Sequence, residues 1–556
     1  MKYIQILSGV FLSCRENEGG PNQMLQLTRS CRILLAFAAA MIMAMLPAYA
    51  EDTEKGSLTI VNDQNVPHTF ELYQILTGEV TLQENARILS NPEWGSGIAS
   101  DSELSRQDPV IWAEGLNAKI TNPDTRKDTL REINQSLGEA VAGQIVAPNE
   151  SYTFTNLDPG YYLLKDRDGS QEGKEGGAST EFILRILDED LEQQLKIRVP
   201  ELKKTVSHLQ ANGDSRNEEL STADFSLGEK MEFRLLGTLP ENYDSYESYQ
   251  YSITDIPSAG IQIDPESIEV LCYSDGHLLS TKDWYEVSLS EGEAGQKLVF
   301  TVKPGKDNHY LKNVFFRHAE GMDSSGDPKD RIEILYRAVL TEKAAIGGSG
   351  SRNEAQLAYS SNPNGTGDSV SLTPKAAVTI YTYQVEISKY RDSVRESNRL
   401  SGAEFELYRL EDGALKKLEV QSYPEEGYHF HADRLGSGTY VLKESKSPVG
   451  YNKLEGTARI SDTEQMKHAV RFEIQAEYGT DPGDHALKNL KGVQEETGTV
   501  YSGSTASGVL TINVIDKPGI VLPETGGSGT RSIMIAGSAL ILLGMILTGV
   551  KRHLGS

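Results

Sequence analysis

The sequence predicts a mainly β protein of tandem sandwich domains, the first with a helical insertion. Three observations predict it. Stretches such as "GSLTIVND" (56–63) and "GTYVLKES" (438–445) alternate apolar and polar residues, the pattern of strands with one buried face. Gly, Pro and Asp turns punctuate them, as in "LDPGYYLLKD" (157–166). Between two apolar chain ends lie about 475 residues, enough for about three domains.

The N-terminal end reads as a secretory signal over residues 1–50. In "TRSCRILLAFAAAMIMAMLPAYA", Arg29 and Arg32 precede an apolar run, and Ala48, Tyr49 and Ala50 form a small-x-small cleavage site. Cleavage there starts the mature chain at Glu51, with Met24 an alternative start codon. Cys14 and Cys31 fall inside the signal, so the mature chain keeps Cys272 alone and forms no intrachain disulfide. An extracellular protein without disulfides needs another source of robustness. The net charge of −26 argues against nucleic acid or an anionic membrane surface as partner; an acidic exterior serves solubility.

The first domain, 51–198, opens on "GSLTIVND" and closes on "TEFILRILDED". Between them "DTLREINQSLGEAVAG" puts Leu130, Ile133, Leu137 and Val141 on one helical face, with Asp128 as cap. Pro200 marks the next boundary. In the second domain, 199–383, Leu202, Lys204 and Val206 share a strand face. So do Tyr251, Ile253 and Asp255, and so do Asn353, Ala355, Leu357 and Tyr359. A lone Asp in "SITDIP" otherwise reads as turn chemistry.

The third domain, 384–517, repeats the pattern. Val385, Ile387 and Lys389 share a face, as do Tyr440, Leu442 and Glu444, and as do Leu510, Ile512, Val514 and Asp516. Lys389, Glu444 and Asp516 are therefore aimed into one small core, where such residues are rarely found unpaired. Alternation alone allows a buried ion pair or a shifted register. It also allows a covalent outcome, in which a neutral amine attacks the Asp516 carbonyl while protonated Glu444 polarises it and water leaves. Asn513 is a fallback partner, but it falls on the opposite face.

The remaining segment, 518–556, holds "LPETG" at 522–526. An uncharged run of 18 residues follows from Ile533 to Val550, then Lys551 and Arg552. That run spans roughly 27 Å as a helix, close to the thickness of a bilayer core, and its basic flank marks the cytoplasmic side.

This three-part terminus resembles the sorting signal of Gram-positive cell-wall proteins. "FELYQILTGEV", "WGSGI" and "GYYLLKD" resemble the N-terminal domain of Gram-positive pilin subunits. "YVLKESKSPVGY" resembles the glutamate motif of their collagen-adhesin B-type, prealbumin-like modules, and the second domain resembles their isopeptide-forming middle domain. The resemblance implies tandem immunoglobulin-like and prealbumin-like β-sandwiches. It implies that sortase recognises Leu522, Pro523, Glu524, Thr525 and Gly526 and cleaves after Thr525. The Thr525 carbonyl then passes to a lysine of another pilin subunit or to peptidoglycan, placing the protein in the cell wall or a surface fimbria.

The same resemblance makes Lys204 the nucleophile, Asp255 the catalytic acid and Asn353 the partner in the second domain, with ammonia released. Lys203 is the alternative nucleophile, disfavoured by alternation. In the third domain the resemblance favours the Lys389–Asp516 bond with Glu444 as acid; those modules more often carry Asn where Asp516 stands. The "GSLTIV" strand has no lysine, so no bond is expected in the first domain. Backbone pilins carry a Tyr-Pro-Lys-Asn-like motif where this chain reads "RVPELKK", leaving Lys203 or Lys196 as the polymerising lysine and a basal or accessory role open.

The rival class is a monomeric wall-anchored adhesin binding a host surface ligand, matrix or glycan. A surface enzyme has little support: there is no nucleophile elbow, zinc-type His cluster or phosphate loop, and no metal or cofactor is expected. "SSNPNGTGDS" (360–369) lacks the spacing of a calcium loop and reads as a polar turn.

Overall fold

The structure is a computed structural model. It describes residues 55–520 and 528–553, apart from 84–85, 187–188, 196, 241, 244–245, 247, 281–282, 293–294, 304–310, 312–313, 316–320, 364–368, 424 and 480–482. The signal segment, the sorting motif Leu522–Gly526 and Lys196 lie outside the described residues.

The first block contains β1 (Gly56–Asn62), β2 (His68–Gln83), β3 (Ala86–Trp94), β4 (Ala142–Val146), β5 (Glu150–Leu157), β6 (Gly160–Asp166), β7 (Glu181–Ile186) and β8 (Asp190–Gln194). They form one sheet in the order β5-β1-β8 and another in the order β3-β2-β6-β7, with β4 added beside β2. A core built from Leu58, Ile60, Phe70, Leu72, Phe154, Leu164 and Ile186 draws on both sheets. Two helices, α1 (Pro109–Thr121) and α2 (Pro123–Gln135), contribute to a second core with Tyr73, Ile75 and Leu163 of the larger sheet. Within it lie Trp112 and Leu116 of α1 and Leu130 and Ile133 of α2.

The helical insertion is thus a pair, and its bounds differ from the sequence expectation. The second helix starts at Pro123, so Asp128 lies inside it rather than capping it. It stops at Gln135, and Leu137 instead bridges to Ile98 while Val141 is 43% exposed. Tertiary contacts end the helix: the Ala99 N–H donates to the Ser136 carbonyl and the Gly138 N–H to the Gly97 carbonyl. The first helix begins at Pro109, with the Asp108 carboxylate accepting from the Val110 and Ile111 N–H groups. Its apolar residues are spread around the helix, Val110 and Ile111 outward and Trp112 inward, so periodicity gave no signal.

The second block contains β9 (Leu202–His208), β10 (Thr222–Asp224), β11 (Lys230–Thr238), β12 (Tyr251–Pro257), β13 (Ile261–Ile263), β14 (Glu269–Ser274) and β15 (His277–Leu278). It continues with β16 (Tyr285–Gly292), β17 (Gly295–Val302), β18 (Arg331–Leu340), β19 (Ser351–Ser360), β20 (Val370–Leu372) and β21 (Ala376–Tyr381). One sheet runs β15-β14-β18-β11-β9, with β13 beside β18. The other runs β10-β21-β19-β12-β17-β16, with β20 beside β19. Alternate residues of both sheets fill the core, among them Phe233, Leu235, Tyr251, Ile253, Tyr336 and Leu357.

The third block contains β22 (Tyr383–Arg391), β23 (Glu404–Glu411), β24 (Ala414–Leu418), β25 (Gln421–Ser422), β26 (His429–Leu435) and β27 (Gly438–Lys446). It ends with β28 (Thr457–Arg459), β29 (Gln465–Lys467), β30 (Ala469–Tyr478), β31 (Leu487–Gln494), β32 (Val500–Ser504) and β33 (Val509–Asp516). Ten of these strands pair continuously from β24 to β25, and the first and last long strands, β22 and β33, lie side by side and parallel. Beyond them α3 (Ser528–His553) carries the span Gly529–Lys551, long and apolar enough to cross a membrane, with none of its apolar window buried in the fold.

Candidate cross-linking sites

The first site lies between the two sheets of the second block. Lys204 projects from β9 in one sheet; Asp255 on β12 and Asn353 on β19 project from the other. In the antiparallel pairing of β12 and β19, Asp255 sits opposite Ala355, which makes Asn353 its diagonal neighbour on the same face. The Lys204 Nζ donates to Asp255 Oδ1 at 2.5 Å and to the Tyr336 hydroxyl oxygen at 3.2 Å. The Tyr336 hydroxyl donates to Asp255 Oδ2 at 2.7 Å, and Asn353 Nδ2 donates to the Tyr336 oxygen at 2.7 Å. Asn353 Oδ1 is buried with no hydrogen-bond partner among the described residues.

All four side chains are enclosed, and the rings of Phe233 and Tyr336 lie 5.2 and 5.7 Å from the amine. Burial pushes the Lys204 amine down to about 8 even though Asp255 pulls the other way. Burial likewise holds the Tyr336 hydroxyl well above its ordinary range, so it stays a donor. Tyr336 is the site residue that sequence reasoning missed. Its signal was present in "RIEILYRAVLT", where Ile332, Ile334, Tyr336 and Ala338 share one buried face.

The second site lies in the third block. Lys389 on β22 sits opposite Val514 of β33, and Arg391 sits opposite Asp516, so Asp516 is diagonal to Lys389 across a parallel pair. Glu444 reaches in from β27. The Lys389 Nζ donates to Asp516 Oδ1 and lies 2.8 Å from Glu444 Oε1. That glutamate oxygen is at ion-pair distance but off the line of a well-directed hydrogen bond; among the described residues, it and Asp516 Oδ2 are buried acceptors without one. The other carboxyl oxygen, Glu444 Oε2, accepts from the Leu454 N–H at 2.5 Å. Burial raises the Glu444 carboxyl above the usual glutamate range, the direction that favours its protonated form. All three side chains are buried, with the Phe405 ring 5.6 Å from the amine. Asn513, on the outward face of β33, is exposed.

Lys203 is 55% exposed in its side chain and pairs with Glu219 at 2.5 Å, away from the buried site. Lys204 and Asn353 do not tie the first strand of the block to its last, because β20 and β21 follow Asn353 and β21 runs directly into β22.

The arrangement makes a sharp pH prediction. In the Asn353→Ala protein Lys204 has no carboxamide to react with and titrates as an amine beside Asp255. Its folded value of about 8 lies below the unbonded value of 10.5, so the unfolded chain binds more protons between the two. Stability of this variant should therefore rise with pH across that window, by up to about 3 kcal/mol. Denaturant unfolding at pH 7.5 and pH 10, done in parallel on the unaltered protein as reference, checks it.

The third block matches the SpaA prealbumin-like fold domain over residues 384–475. The trypsin-resistant surface T6 protein of Streptococcus pyogenes serotype M6 is 24% identical over 378 residues, which cover 59% of this chain and 65% of that relative. The solved T6 backbone pilin of the same serotype aligns over 84% of this chain and 99% of its own, at 16% identity and a TM-score of 0.47. The chain resembles Gram-positive pilins. The major pilin SpaA of Corynebacterium diphtheriae aligns over 83% of this pilin-like chain and 99% of its own, at 13% identity and a TM-score of 0.42.

Proposed function

We propose that the chain is a structural subunit of a sortase-assembled pilus, made of three modules with boundaries near residues 198 and 383. Two of those modules seal themselves with isopeptide bonds. One observation supports this above all: each of the two modules holds a buried lysine against buried side-chain carboxyl groups, with no solvent to stabilise the charges. As plain ion pairs these clusters gain little, because desolvation offsets much of the attraction. Conversion to neutral amides removes the charges.

In the second module the Lys204 amine attacks Asn353 Cγ. The new N–C bond forms as the C–Nδ2 bond breaks, Asp255 relays one proton from the amine to the departing nitrogen, and ammonia leaves. Tyr336 is a positioning residue that holds both Asp255 and the Asn353 amide. In the third module Lys389 attacks Asp516 Cγ, Glu444 relays the proton, and water leaves. Neither step needs a metal or cofactor.

Assembly rests on the sorting motif. Sortase would cleave between Thr525 and Gly526 and transfer Thr525 to a lysine of the next subunit, with Lys203 and Lys196 as acceptors, or to peptidoglycan. Wall extracts should then run as a high-mass ladder on denaturing gels, and Thr525→Ala should abolish it. A single band at monomer mass from the unaltered protein would instead support a monomeric adhesin.

A further inference from the structure

The first module holds a third cluster of the same composition, in a place the first-strand pattern does not reach. Lys165 on β6 and Glu181 on β7 are direct partners in the antiparallel pairing. Both belong to the face that carries Leu163 and Ile183, which pack into the core shared with α1 and α2. Over that face lies α2, whose Leu130 and Ile133 are buried and whose next residue is Asn134. A lysine and a glutamate therefore stand side by side under a helix that lowers a carboxamide onto them.

The distances complete the picture. Lys165 Nζ donates to Asn134 Oδ1 at 3.1 Å, and Asn134 Nδ2 donates to Glu181 Oε1. That nitrogen also reaches the Leu130 carbonyl at 2.9 Å, which fixes the amide plane. Lys165 and Glu181 are both buried, and burial pushes the Glu181 carboxyl up to about 7. The amine also lies 2.8 Å from Asp168, whose side chain is 81% exposed at the mouth of the cluster.

Amine, carboxamide and an acid on the amide nitrogen are the components placed at the Lys204 site, arranged there with a tyrosine between them. We propose that Lys165 and Asn134 form a third isopeptide bond, which staples α2 to the sheet; this inference rests on the cross-linking reading of the other two clusters. Lys165 Nζ attacks Asn134 Cγ, the C–Nδ2 bond breaks, Glu181 passes the amine's proton to the leaving nitrogen, and one ammonia departs. The bond joins a helix to a strand within one module, so it holds the helical pair down rather than carrying tension between modules.

The test is a protease digest of the mature chain analysed by tandem mass spectrometry. The expected result is a branched peptide joining the Lys165 and Asn134 segments, lighter than their sum by about 17 Da, one ammonia. Lys165→Arg and Glu181→Gln should both abolish it and restore that mass. Asp168→Asn should leave it in place. Limited thermolysin digestion should cut the Pro109–Gln135 helical pair faster in the Lys165→Arg protein. Linear peptides with an unmodified Lys165 overturn the proposal. If the Lys204 and Lys389 peptides are branched in that same digest, the third bond alone fails; if they too are linear, the broader reading fails with it.

Discussion

Asp255→Ala is expected to leave Lys204 and Asn353 unjoined and to destabilise the second module severely. Two effects add. The proposed bond would close a loop of 149 residues (353 − 204), and by analogy with a disulfide its loss would release about 5 kcal/mol of constraint on the unfolded chain. The variant also leaves the Lys204 amine, 4% exposed, without its carboxylate partner, a change that costs about 3–5 kcal/mol in comparable buried pairs. Some of the second term relaxes as the amine sheds its proton, which its lowered pKa makes easy. Chemical denaturation should show the midpoint falling by well over half. Asp255→Asn, which keeps the shape, should also lack the bond but fall less far.

The second large effect is mechanical. Glu444→Gln removes the proton relay for Lys389 and Asp516 while preserving the side chain's volume. In the bonded module, tension entering β22 would pass from Lys389 straight to Asp516 and leave, shielding the 126 residues between them (390–515). Under single-molecule pulling the unaltered module should not extend. The Glu444→Gln module should unravel with a step of about 440 Å, the contour length of that segment. The second module should behave differently even when bonded. Residues after Asn353, including β20 and β21, lie outside its closed loop and are held by noncovalent contacts. A short step of about 100 Å is expected from them. A protein that extends fully in every module without any substitution would contradict the shielding.

Much of this was legible in the sequence because a strand has a period of two. Lys389, Glu444 and Asp516 each follow apolar residues at i−2, and that spacing suffices to aim them inward. The same rule set Lys204 apart from Lys203 and Asn513 apart from Asp516. What the period cannot give is which strands become neighbours. Tyr336 sits on an evident strand, yet its role depends on β18 facing β12 across the core, a fact of topology. The Lys165 cluster was hidden for a similar reason. Its amide comes from a helix, and the pairing of Lys165 with Glu181 is set by a register across a long loop. The first helix was invisible to periodicity because its apolar residues surround it, and it is held by a cap and by Trp112 in the core.

The central claim is that folding joins Lys204 to Asn353 and Lys389 to Asp516. The intact mass of the mature chain tests it most directly. The account predicts a deficit of about 35 Da for one ammonia and one water, or about 52 Da if Lys165 is joined as well, with Lys204→Ala and Lys389→Ala each restoring its own share. A mass equal to the sum of the residues would contradict it.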